Sequence, residues 1–278
     1  MTTVLLISSR DNPLLQRIRK LSADPGAYRK LGSVWLEGDH LVGAAVQRGI
    51  ALRDLVVTEP AWASRVDWRR WADSAQRVVQ LPEALFASLS GLESPARIGA
   101  LIDVAVAPAL QPAVFSVVLD RLQDAGNVGS ILRSAAAFGV RQVLALKGTA
   151  ALWSPKVLRA GMGAHFGLSL VEGLLDEELA ALQVPLLATS SHEGLVLGQA
   201  ALPFPCAWVF GHEGQGVEAG LMARCAHTVS IPQPGGEESL NVAAAAAVCL
   251  FGSTLAVQVP PARPKAASGL RAAKPEAQ

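Results

Sequence analysis

The chain has 278 residues, enough for two domains of ordinary size, each with its own core. Apolar residues make up 51% of the sequence and charged residues 17%, which excludes a disordered chain as the main state. A formal net charge of +1 excludes a chain-wide polyelectrolyte but permits a local basic surface.

The sequence predicts a cytoplasmic protein without a membrane span. The apolar start, residues 1–7, lacks the basic region and the cleavage pattern of a signal peptide. The longest apolar stretch, residues 242–257, is shorter than a spanning helix and contains Gly252, Ser253 and Thr254. The 3 cysteines are odd in number and lack metal-binding spacing, so we expect reduced thiols and no metal site.

The first predicted element is an amphipathic helix in residues 8–21. Asn12 stands at the N-cap, Pro13 follows at the first helical position, and apolar residues recur on one face. The other side of this segment and the residues up to 30 are rich in lysine and arginine. Such a surface is either a solvated helix face or a site that contacts nucleic-acid phosphates.

Short apolar runs then alternate with helical patterns as far as residue 106. Strands are predicted at 33–36, 54–58, 77–81 and 98–106, and helices at 39–48, 61–75 and 82–89. Trp62, Trp68 and Trp71 lie in the second of these helices, and packing against the sheet is favoured over base stacking. The first domain is therefore predicted over residues 1–106, followed by a Pro/Ala-rich linker at 107–112.

The second domain is predicted over residues 113–258. Its strands are expected at 114–119, 142–146, 168–171, 185–189, 207–210 and 228–231, with helices between most of them. This alternation is typical of an α/β fold with a parallel sheet. The remaining residues, 259–278, are rich in Pro, Ala, Lys and Arg and are expected to be a disordered tail.

Three strand-end loops carry the polar residues and glycines of the second domain. The first contains Asn127 and Gly129 and leads into a helix predicted over 130–138, which carries Arg133. The second is the sequence FGHEGQG at 210–216, and the third is IPQPGGEESLNV at 231–242. Because the carboxyl ends of parallel strands meet at one edge of a sheet, these loops are expected to form a ligand site.

In these loops the chain resembles the SpoU/TrmH family of RNA ribose methyltransferases, of the SPOUT superfamily. The first family motif, N-x-G-x3-R, is matched by Asn127, Gly129 and Arg133. The second, G-x-E-x-x-G, is matched by Gly211, Glu213 and Gly216. The third, I-P with S-L-N downstream, is matched by Ile231, Pro232, Ser239, Leu240 and Asn241. All three motifs occur in order and at family-like spacing, which makes the signal specific.

The resemblance implies methyl transfer from S-adenosylmethionine to a ribose 2′-hydroxyl without a metal, at a deep trefoil knot formed by the C-terminal loops. The implied cofactor contacts are Gly211, Ile231 and Leu240, with Thr189 as a weaker addition. The implied catalytic residues are Asn127, Arg133, Glu213, Ser239 and Asn241.

Each catalytic residue has an expected role. Arg133 resembles the family's catalytic arginine. A guanidinium with a pKa above about 12 is a poor base. We therefore expect Arg133 to bind the target phosphate and to stabilise the developing alkoxide. The sequence does not identify the group that accepts the proton of the ribose hydroxyl. Asn127 would hold the ribose or the methionine end of the cofactor, and Glu213 would fix Arg133 or Asn127. Ser239 and Asn241 would close the site, with Ser239 also the predicted N-cap of the last helix.

The N-terminal region resembles the small, ribosomal-protein-like substrate-binding domain found in one branch of the family. The match consists of S-x-x-N-P ending at Pro13, a basic helix, and L-E-G-x-x-L from Leu36 to Leu41. This implies RNA as the partner, with ribosomal RNA favoured over transfer RNA. The candidate RNA contacts are Arg10, Asn12, Arg17, Lys20, Arg29 and Lys30.

Two further expectations concern the second domain. Residues 154–166 match a family segment, but Gly161 stands where the family usually has serine, which puts a hydroxyl role there in doubt. The resemblance also implies a homodimer that pairs the first and last helices of this domain, and the small residues at 243–247 are compatible with such close packing. In that dimer, Arg133 of one subunit could lie near the cofactor of the other.

Two other functions stay open on the sequence. A Rossmann-type oxidoreductase would need G-x-G-x-x-G opening a helix after the first strand of either half, and the sequence has no such motif there. A non-catalytic RNA-binding protein of the same fold is the other alternative, and the complete set of Asn127, Arg133, Glu213 and Asn241 speaks against it.

Overall fold

A computed structural model of the chain describes residues 3–104, 108–190, 193–236 and 239–258. Residues up to Asp103 form a five-stranded mixed sheet, and residues from Ser116 onward form a seven-stranded parallel sheet. The predicted α/β class with a parallel C-terminal sheet is confirmed. The predicted tail at 259–278 and the first linker residue, 107, lie outside the described residues.

The N-terminal sheet has the strand order β1-β4-β3-β5-β2. Its strands are β1 (Thr3–Leu6), β2 (Ser33–Glu37), β3 (Leu52–Thr58), β4 (Ala75–Leu81) and β5 (Ile98–Asp103). The helices around it are α1 (Pro13–Ala23), α2 (Ala27–Leu31), α3 (Asp39–Gln47), α4 (Glu59–Ser64), α5 (Val66–Arg69) and α6 (Glu83–Ala87), with a 3₁₀ turn at Arg70–Ser74. β1 and β3 pair parallel to β4, whereas β5 pairs antiparallel to β2 and β3.

Helix α1 has the predicted cap and the predicted apolar face. The Asn12 side chain accepts a hydrogen bond of 2.9 Å from the backbone N–H of Leu14, which satisfies a donor that the helix start leaves free. Leu15, Ile18 and Leu21 are buried against the sheet. Of the basic residues of α1, Lys20 is exposed, whereas the half-buried Arg17 donates to the hydroxyl of Ser33 in β2.

Three features of this domain differ from the prediction. The helix predicted at 61–75 is wrong, because the backbone leaves the helical region at Arg65 and Ala75 already belongs to β4. Strand β1 and helix α2 were missed, since they have only 4 and 5 residues, too few to show a clear period. Trp68 is buried and stacks on Trp71 with ring centroids 6.4 Å apart, which is the favoured packing role.

The C-terminal sheet has the order β10-β12-β9-β11-β6-β7-β8. Its strands are β6 (Ser116–Leu119), β7 (Gln142–Leu146), β8 (Ser169–Leu174), β9 (Leu186–Thr189), β10 (Leu195–Val196), β11 (Ala207–Phe210) and β12 (His227–Ser230). The helices are α7 (Ala125–Ala137), α8 (Pro155–Gly161), α9 (Ala219–Ala223) and α10 (Val242–Gln258). Strand order reverses at β6, which pairs with β7 on one side and β11 on the other, so the sheet has a topological switch point there.

Helix α7 starts five residues earlier than predicted. The carboxylate of Asp124 accepts a hydrogen bond of 2.8 Å from the backbone N–H of Asn127 and caps the helix. Asn127 thus lies in the first turn of α7, not in the preceding loop as predicted. Two residues further on, Gly129 packs on α8 so closely that a Cβ there would lie 2.4 Å from the Cβ of Ala160.

The last helix also starts elsewhere than predicted. Its N-cap is Asn241, whose side-chain oxygen accepts from the backbone N–H of Ala243 at 2.9 Å and of Ala244 at 3.3 Å. The prediction that Ser239 caps this helix is therefore wrong. Near its other end, Ser253 accepts a hydrogen bond of 2.9 Å from the indole of Trp208 and so ties α10 to β11. Within the described residues, none of the helices is long and apolar enough to span a membrane.

Candidate active site at the carboxyl edge of the parallel sheet

A cavity of about 1060 Å³ lies at the carboxyl ends of β9, β11 and β12. The four predicted cofactor contacts all line it: Thr189, Gly211, Ile231 and Leu240. Three predicted catalytic residues line it as well: Glu213, Ser239 and Asn241. The structure therefore brings together the loops after β11 and β12, as the sequence predicted.

The first loop joins the other two through a hydrogen-bonded bridge. The amide oxygen of Asn127 accepts from the Asn241 side chain at 3.0 Å, and its amide nitrogen donates to the Glu213 carboxylate at 3.3 Å. Because Asn127 follows β6, Asn241 follows β12 and Glu213 follows β11, this set of polar contacts connects all three strand-end segments. The bridge fixes one wall of the cavity.

Glu213 also holds the backbone that leads into α7. Its carboxylate accepts from the backbone N–H groups of Asp124 at 3.1 Å and Gln123 at 3.3 Å. Burial raises the pKa of the Glu213 carboxyl, but the hydrogen bonds from backbone N–H groups and from Asn127 outweigh it, and the net pKa lies below the ordinary glutamate value. The side chain is thus an ionised acceptor at neutral pH.

Arg133 is placed differently from the rest of the predicted set. Its side chain is exposed, does not line the cavity, and takes part in no hydrogen bond or ion pair within the part of the chain that the structure describes. Of the two partners proposed for Glu213, the structure shows Asn127 and not Arg133. The guanidinium is therefore free to bind an anionic group from outside this chain.

Gly211 is required by the loop itself. A Cβ at Gly211 would lie 2.1 Å from the backbone nitrogen of Val217, because the loop turns back on its own start. The return is closed by a backbone hydrogen bond of 2.8 Å from the N–H of Gly216 to the carbonyl of His212. Any larger residue at 211 would push the loop open and deform the cavity wall.

The residues that line the cavity fit S-adenosylmethionine. Ile231, Leu240 and Met222 supply apolar surface for an adenine ring, and the loop backbone supplies donors and acceptors. Gln233 lines the same cavity, and its side-chain oxygen is buried and has no hydrogen-bond partner within the described residues. A buried acceptor without a donor is costly unless a ligand supplies one. The hydroxyl of Thr189 donates to the Val209 carbonyl at 3.2 Å, so towards a ligand this hydroxyl can act only as an acceptor.

Sequence reasoning missed several residues of this cavity. Met222 and Gln233 line it without belonging to a motif, as do His212 and Ala245. Gln233 and His212 follow motif residues directly in the chain, which was the only signal for them. Ala245 and Met222 face the cavity through helices packed beside the loops, and the sequence alone carries no sign of that placement.

The predicted RNA contacts divide into two groups. The side chains of Arg10, Lys20 and Lys30 are exposed, without a partner within the described residues. The other three have structural contacts: Asn12 caps α1, and Arg17 donates to the hydroxyl of Ser33 at 3.0 Å and to the carbonyl of Leu31. Arg29 pairs with a carboxylate of the second domain at 3.0 Å.

Two further observations complete the chemistry of the site. A Cβ at Gly161 would lie 2.6 Å from the imidazole of His165, so a serine is sterically blocked at this position. Within the described ranges, no group of three or more His, Cys, Asp or Glu side chains could hold a metal ion.

Comparison with known proteins identifies relatives along nearly the whole chain. Residues 114–251 match the SpoU rRNA Methylase family, and residues 12–100 match the MRM3-like substrate binding domain. An uncharacterized tRNA/rRNA methyltransferase from Synechocystis sp. is 32% identical over 88% of this chain and 92% of the relative. A 23S rRNA (guanosine(2553)-2'-O)-methyltransferase from Bacillus subtilis is 30% identical over 80% of this chain and 88% of the relative.

A solved structure shares the fold. The SpoU methyltransferase AviRb from Streptomyces viridochromogenes, crystallised in complex with the cofactor AdoMet, superposes with a TM-score of 0.76. The match covers 88% of this chain and 97% of that chain at 24% sequence identity. The likeness therefore includes both sheets and their arrangement.

Proposed function

The chain belongs to the SpoU rRNA methylase family and is an RNA 2′-O-ribose methyltransferase that uses S-adenosylmethionine, and we propose that it methylates a ribose of ribosomal RNA at the cavity formed by its three strand-end loops. The family resemblance predicted from the three motifs is thereby confirmed. An oxidoreductase, the first alternative, is wrong. Transfer RNA is the alternative substrate, and the relative from Bacillus subtilis, named for 23S rRNA, favours ribosomal RNA.

One observation carries the placement of the reaction: the hydrogen-bonded bridge of Asn127, Glu213 and Asn241 beside the cavity. When bound, S-adenosylmethionine supplies an electrophilic methyl group on a sulfonium centre. The bridge links the three segments through hydrogen bonds between side chains of the protein itself, which preorganises the binding site. Fixed loops lower the entropic cost of aligning a ribose hydroxyl with the methyl group, an effect that reaches roughly 7–11 kcal/mol in well-oriented reactions.

The side chains of the site have different roles in binding the cofactor and the substrate. Ile231 and Leu240 would contact the adenine, and Gln233 would accept a hydrogen bond from a donor of the cofactor. Asn127 has both ends of its amide engaged, so its role is to hold the loops rather than to take a proton. Ser239 is exposed at the cavity rim and is available to the substrate.

Arg133 is the residue that we assign to the RNA phosphate. A guanidinium without an internal partner keeps all its donors for an incoming phosphate and for charge that develops on the ribose oxygen. Because Arg133 does not line the cavity of its own chain, we propose that it serves the cavity of a second copy in a homodimer.

The surface of α10 supports that dimer. Ala244, Val248, Phe251 and Leu255 are exposed at spacings of four, three and four residues, with Val248 40%, Phe251 50% and Leu255 47% accessible. This spacing is that of a seam between two packed helices. Phe251 also contacts Phe138, at the end of α7, with ring centroids 5.9 Å apart, so the seam joins the two helices of the predicted interface.

The proposal includes a deep trefoil knot and a cytoplasmic location. The chain leaves β12 near one edge of the sheet and returns as α10 to pack on α7, beside the central strand β6, which supports a threaded C-terminal segment. Cys206, Cys225 and Cys249 are free thiols, which suits a reducing compartment.

Mapping of ribose methylation tests the function. Total RNA from cells with and without the gene is compared position by position, and purified protein with labelled S-adenosylmethionine is then given the unmodified ribosomal RNA. We expect one ribosomal 2′-O-methyl group to disappear from the cells and to be restored in vitro. Loss of a mark on transfer RNA instead would contradict the substrate, and no transfer to either RNA would contradict the function.

A further inference from the structure

Glu172 of strand β8 forms a partly buried contact between the two domains. The hydroxyl of Tyr28 donates to the Glu172 carboxylate, whose two oxygens lie 2.7 and 2.6 Å from the phenol oxygen, and the guanidinium of Arg29 donates to it at 3.0 Å. It also accepts from the backbone N–H of Leu152 at 2.8 Å. Its side chain is only 16% exposed. Both side-chain donors come from α2 of the N-terminal domain, so the carboxylate is fully satisfied only when the domains are docked.

The chemistry of this contact favours the docked arrangement of the two domains over any arrangement in which they are separated. A desolvated carboxylate is costly unless donors replace its water, and hydrogen bonds to an ionised acceptor are stronger than neutral ones. Burial, and then the negative charge of Glu172, raise the pKa of the Tyr28 phenol well above its ordinary value. The phenol therefore stays protonated and keeps donating at any pH at which the protein works.

A second contact, on other elements, restricts rotation between the domains. Gly163 lies against α3, and a Cβ at Gly163 would be 2.5 Å from the Cβ of Ala44. Leu158 of α8 is buried within the hydrophobic core of the N-terminal domain. Two separated contacts define an orientation, whereas one alone would leave a hinge.

The contact lies between the two surfaces that the RNA would touch. On one side, α2 carries the exposed Lys30 directly after Arg29. On the other side, Leu152 belongs to the loop that leads into α8, and α8 packs against α7, which carries Arg133. The same carboxylate thus connects the basic face of the first domain to the support of the methyl-transfer site.

We propose that Glu172 and Tyr28 are positioning residues that set the distance between the basic N-terminal face and the methyl-transfer cavity, and thereby select which ribose of a bound RNA is methylated. This inference rests on the proposed function. It assigns to the domain junction a part in substrate selection, while the binding of S-adenosylmethionine depends on the second domain alone.

The test uses Tyr28→Phe, which removes only the hydroxyl, together with Glu172→Gln and the double variant. The matched control is Asp176→Asn, which removes a carboxylate paired at 3.1 Å with Arg224 of the same domain. Spin labels are attached to cysteines introduced by Gln76→Cys and Ala180→Cys, and Cys225→Ser removes the partly exposed native thiol. Pulsed electron resonance then reports the distance between the two domains. Binding of S-adenosylmethionine, and KM and kcat on ribosomal RNA, are measured for each variant.

We expect both single variants to broaden the interdomain distance distribution. KM for RNA should rise about tenfold, the usual effect of losing a hydrogen bond to a charged group. Affinity for S-adenosylmethionine and kcat should change less than about twofold, because the cavity is untouched. Since both substitutions break one contact, the double variant should be no worse than the poorer single variant. Part of the methylation should move to neighbouring riboses, and the control should behave as the wild type.

An unchanged distance distribution together with an unchanged KM would overturn the proposal, as would equal loss of affinity for S-adenosylmethionine and for RNA. If Glu172→Gln does not fold, Tyr28→Phe decides alone, since the aromatic packing is kept. If the wild type methylates no ribosomal RNA, the proposed function fails, while the distance distribution still reports whether Glu172 fixes the domains.

Discussion

Asn241 and Asn127 are 114 residues apart in the chain, yet their side chains share a hydrogen bond of 3.0 Å. Each amide also has a second contact: Asn241 caps α10, and Asn127 donates to Glu213. One pair of side chains therefore couples the start of the last helix to the start of α7 and to the loop after β11. The relative placement of the three strand-end segments of the active site therefore depends on this coupling.

The first prediction concerns the acceptor of the bridge. Glu213→Gln keeps the size of the side chain but replaces one acceptor oxygen by a donor, so the N–H groups of Gln123 and Asp124 lose part of their partner. We expect kcat/KM to fall by about 10- to 100-fold, the effect of losing a hydrogen bond to a charged group. Steady-state methylation assays measure it, with Glu177→Gln, an exposed carboxylate of the same domain, as the control. Full activity in Glu213→Gln would show that the bridge is dispensable.

The second prediction concerns Arg133. Arg133→Ala should lower kcat by about 10²- to 10³-fold, as expected for a residue that stabilises charge in the transition state. Affinity for S-adenosylmethionine should stay the same, because Arg133 does not line the cavity of its own chain and is assigned to the RNA rather than to the cofactor. Single-turnover methylation and calorimetric titration separate the two effects. Arg141→Ala, another exposed arginine of this domain, should leave both unchanged. A weaker cofactor affinity with normal turnover would contradict the assigned role.

The third prediction concerns the buried oxygen of Gln233. Gln233→Leu fills similar space but removes the acceptor, so affinity for S-adenosylmethionine should fall by about five- to tenfold, as for the loss of one hydrogen bond. Calorimetric titration measures it without turnover. Gln199→Leu, an exposed glutamine of the same domain, should bind as the wild type does. Equal affinities in Gln233→Leu and the wild type would mean that this oxygen faces no donor of the cofactor.

The fourth prediction concerns the seam on α10. Val248→Asp combined with Leu255→Asp places two charges on the exposed apolar stripe, and we expect the protein to become monomeric and inactive while retaining its fold. Sedimentation gives the mass, and circular dichroism checks the fold. Val66→Asp changes a more exposed aliphatic residue of the first domain and should leave the mass unchanged. A monomeric wild type with full activity would remove the dimer from the mechanism.

The fifth prediction concerns His165, which is buried with one ring nitrogen bonded to the Leu152 carbonyl at 2.8 Å and the other without a partner in the described chain. Burial lowers its pKa from 6.5 to about 4. The unfolded chain therefore binds a proton at higher pH than the folded one, so stability is complete above pH 6.5 and falls as the pH decreases towards 4. Linkage gives a loss of about 2 kcal/mol between pH 7 and pH 5.

Urea unfolding at several pH values measures this loss. His165→Leu should remove that part of the pH dependence, whereas His227→Leu, which changes an exposed histidine, should keep it. The same slope in His165→Leu and in the wild type would assign the pH dependence to other groups.

Local patterns in the sequence predicted those parts of the protein whose cause is local. The cap of α1 depends on Asn12 and Pro13, which are adjacent to the helix, and the buried runs of the parallel sheet are continuous apolar segments. Predictions that needed exact boundaries failed more often. Asp124 and Ser154 both cap helices, but the glycines after Asp124 concealed the start of α7, and Ser239 has the residue type of a cap without the position.

The sequence by itself determined the alternation of strands and helices, the family, and which three loops contribute to the site. Periodicity and motif spacing are properties of residues that are close in the chain. Only the tertiary structure decided which polar groups meet: Glu213 with Asn127 rather than Arg133, Arg29 with Glu172 rather than open solvent. These pairings join residues 86 and 143 positions apart. The parallel sheet brings such residues together by strand order, and strand order is set by the packing of the whole domain.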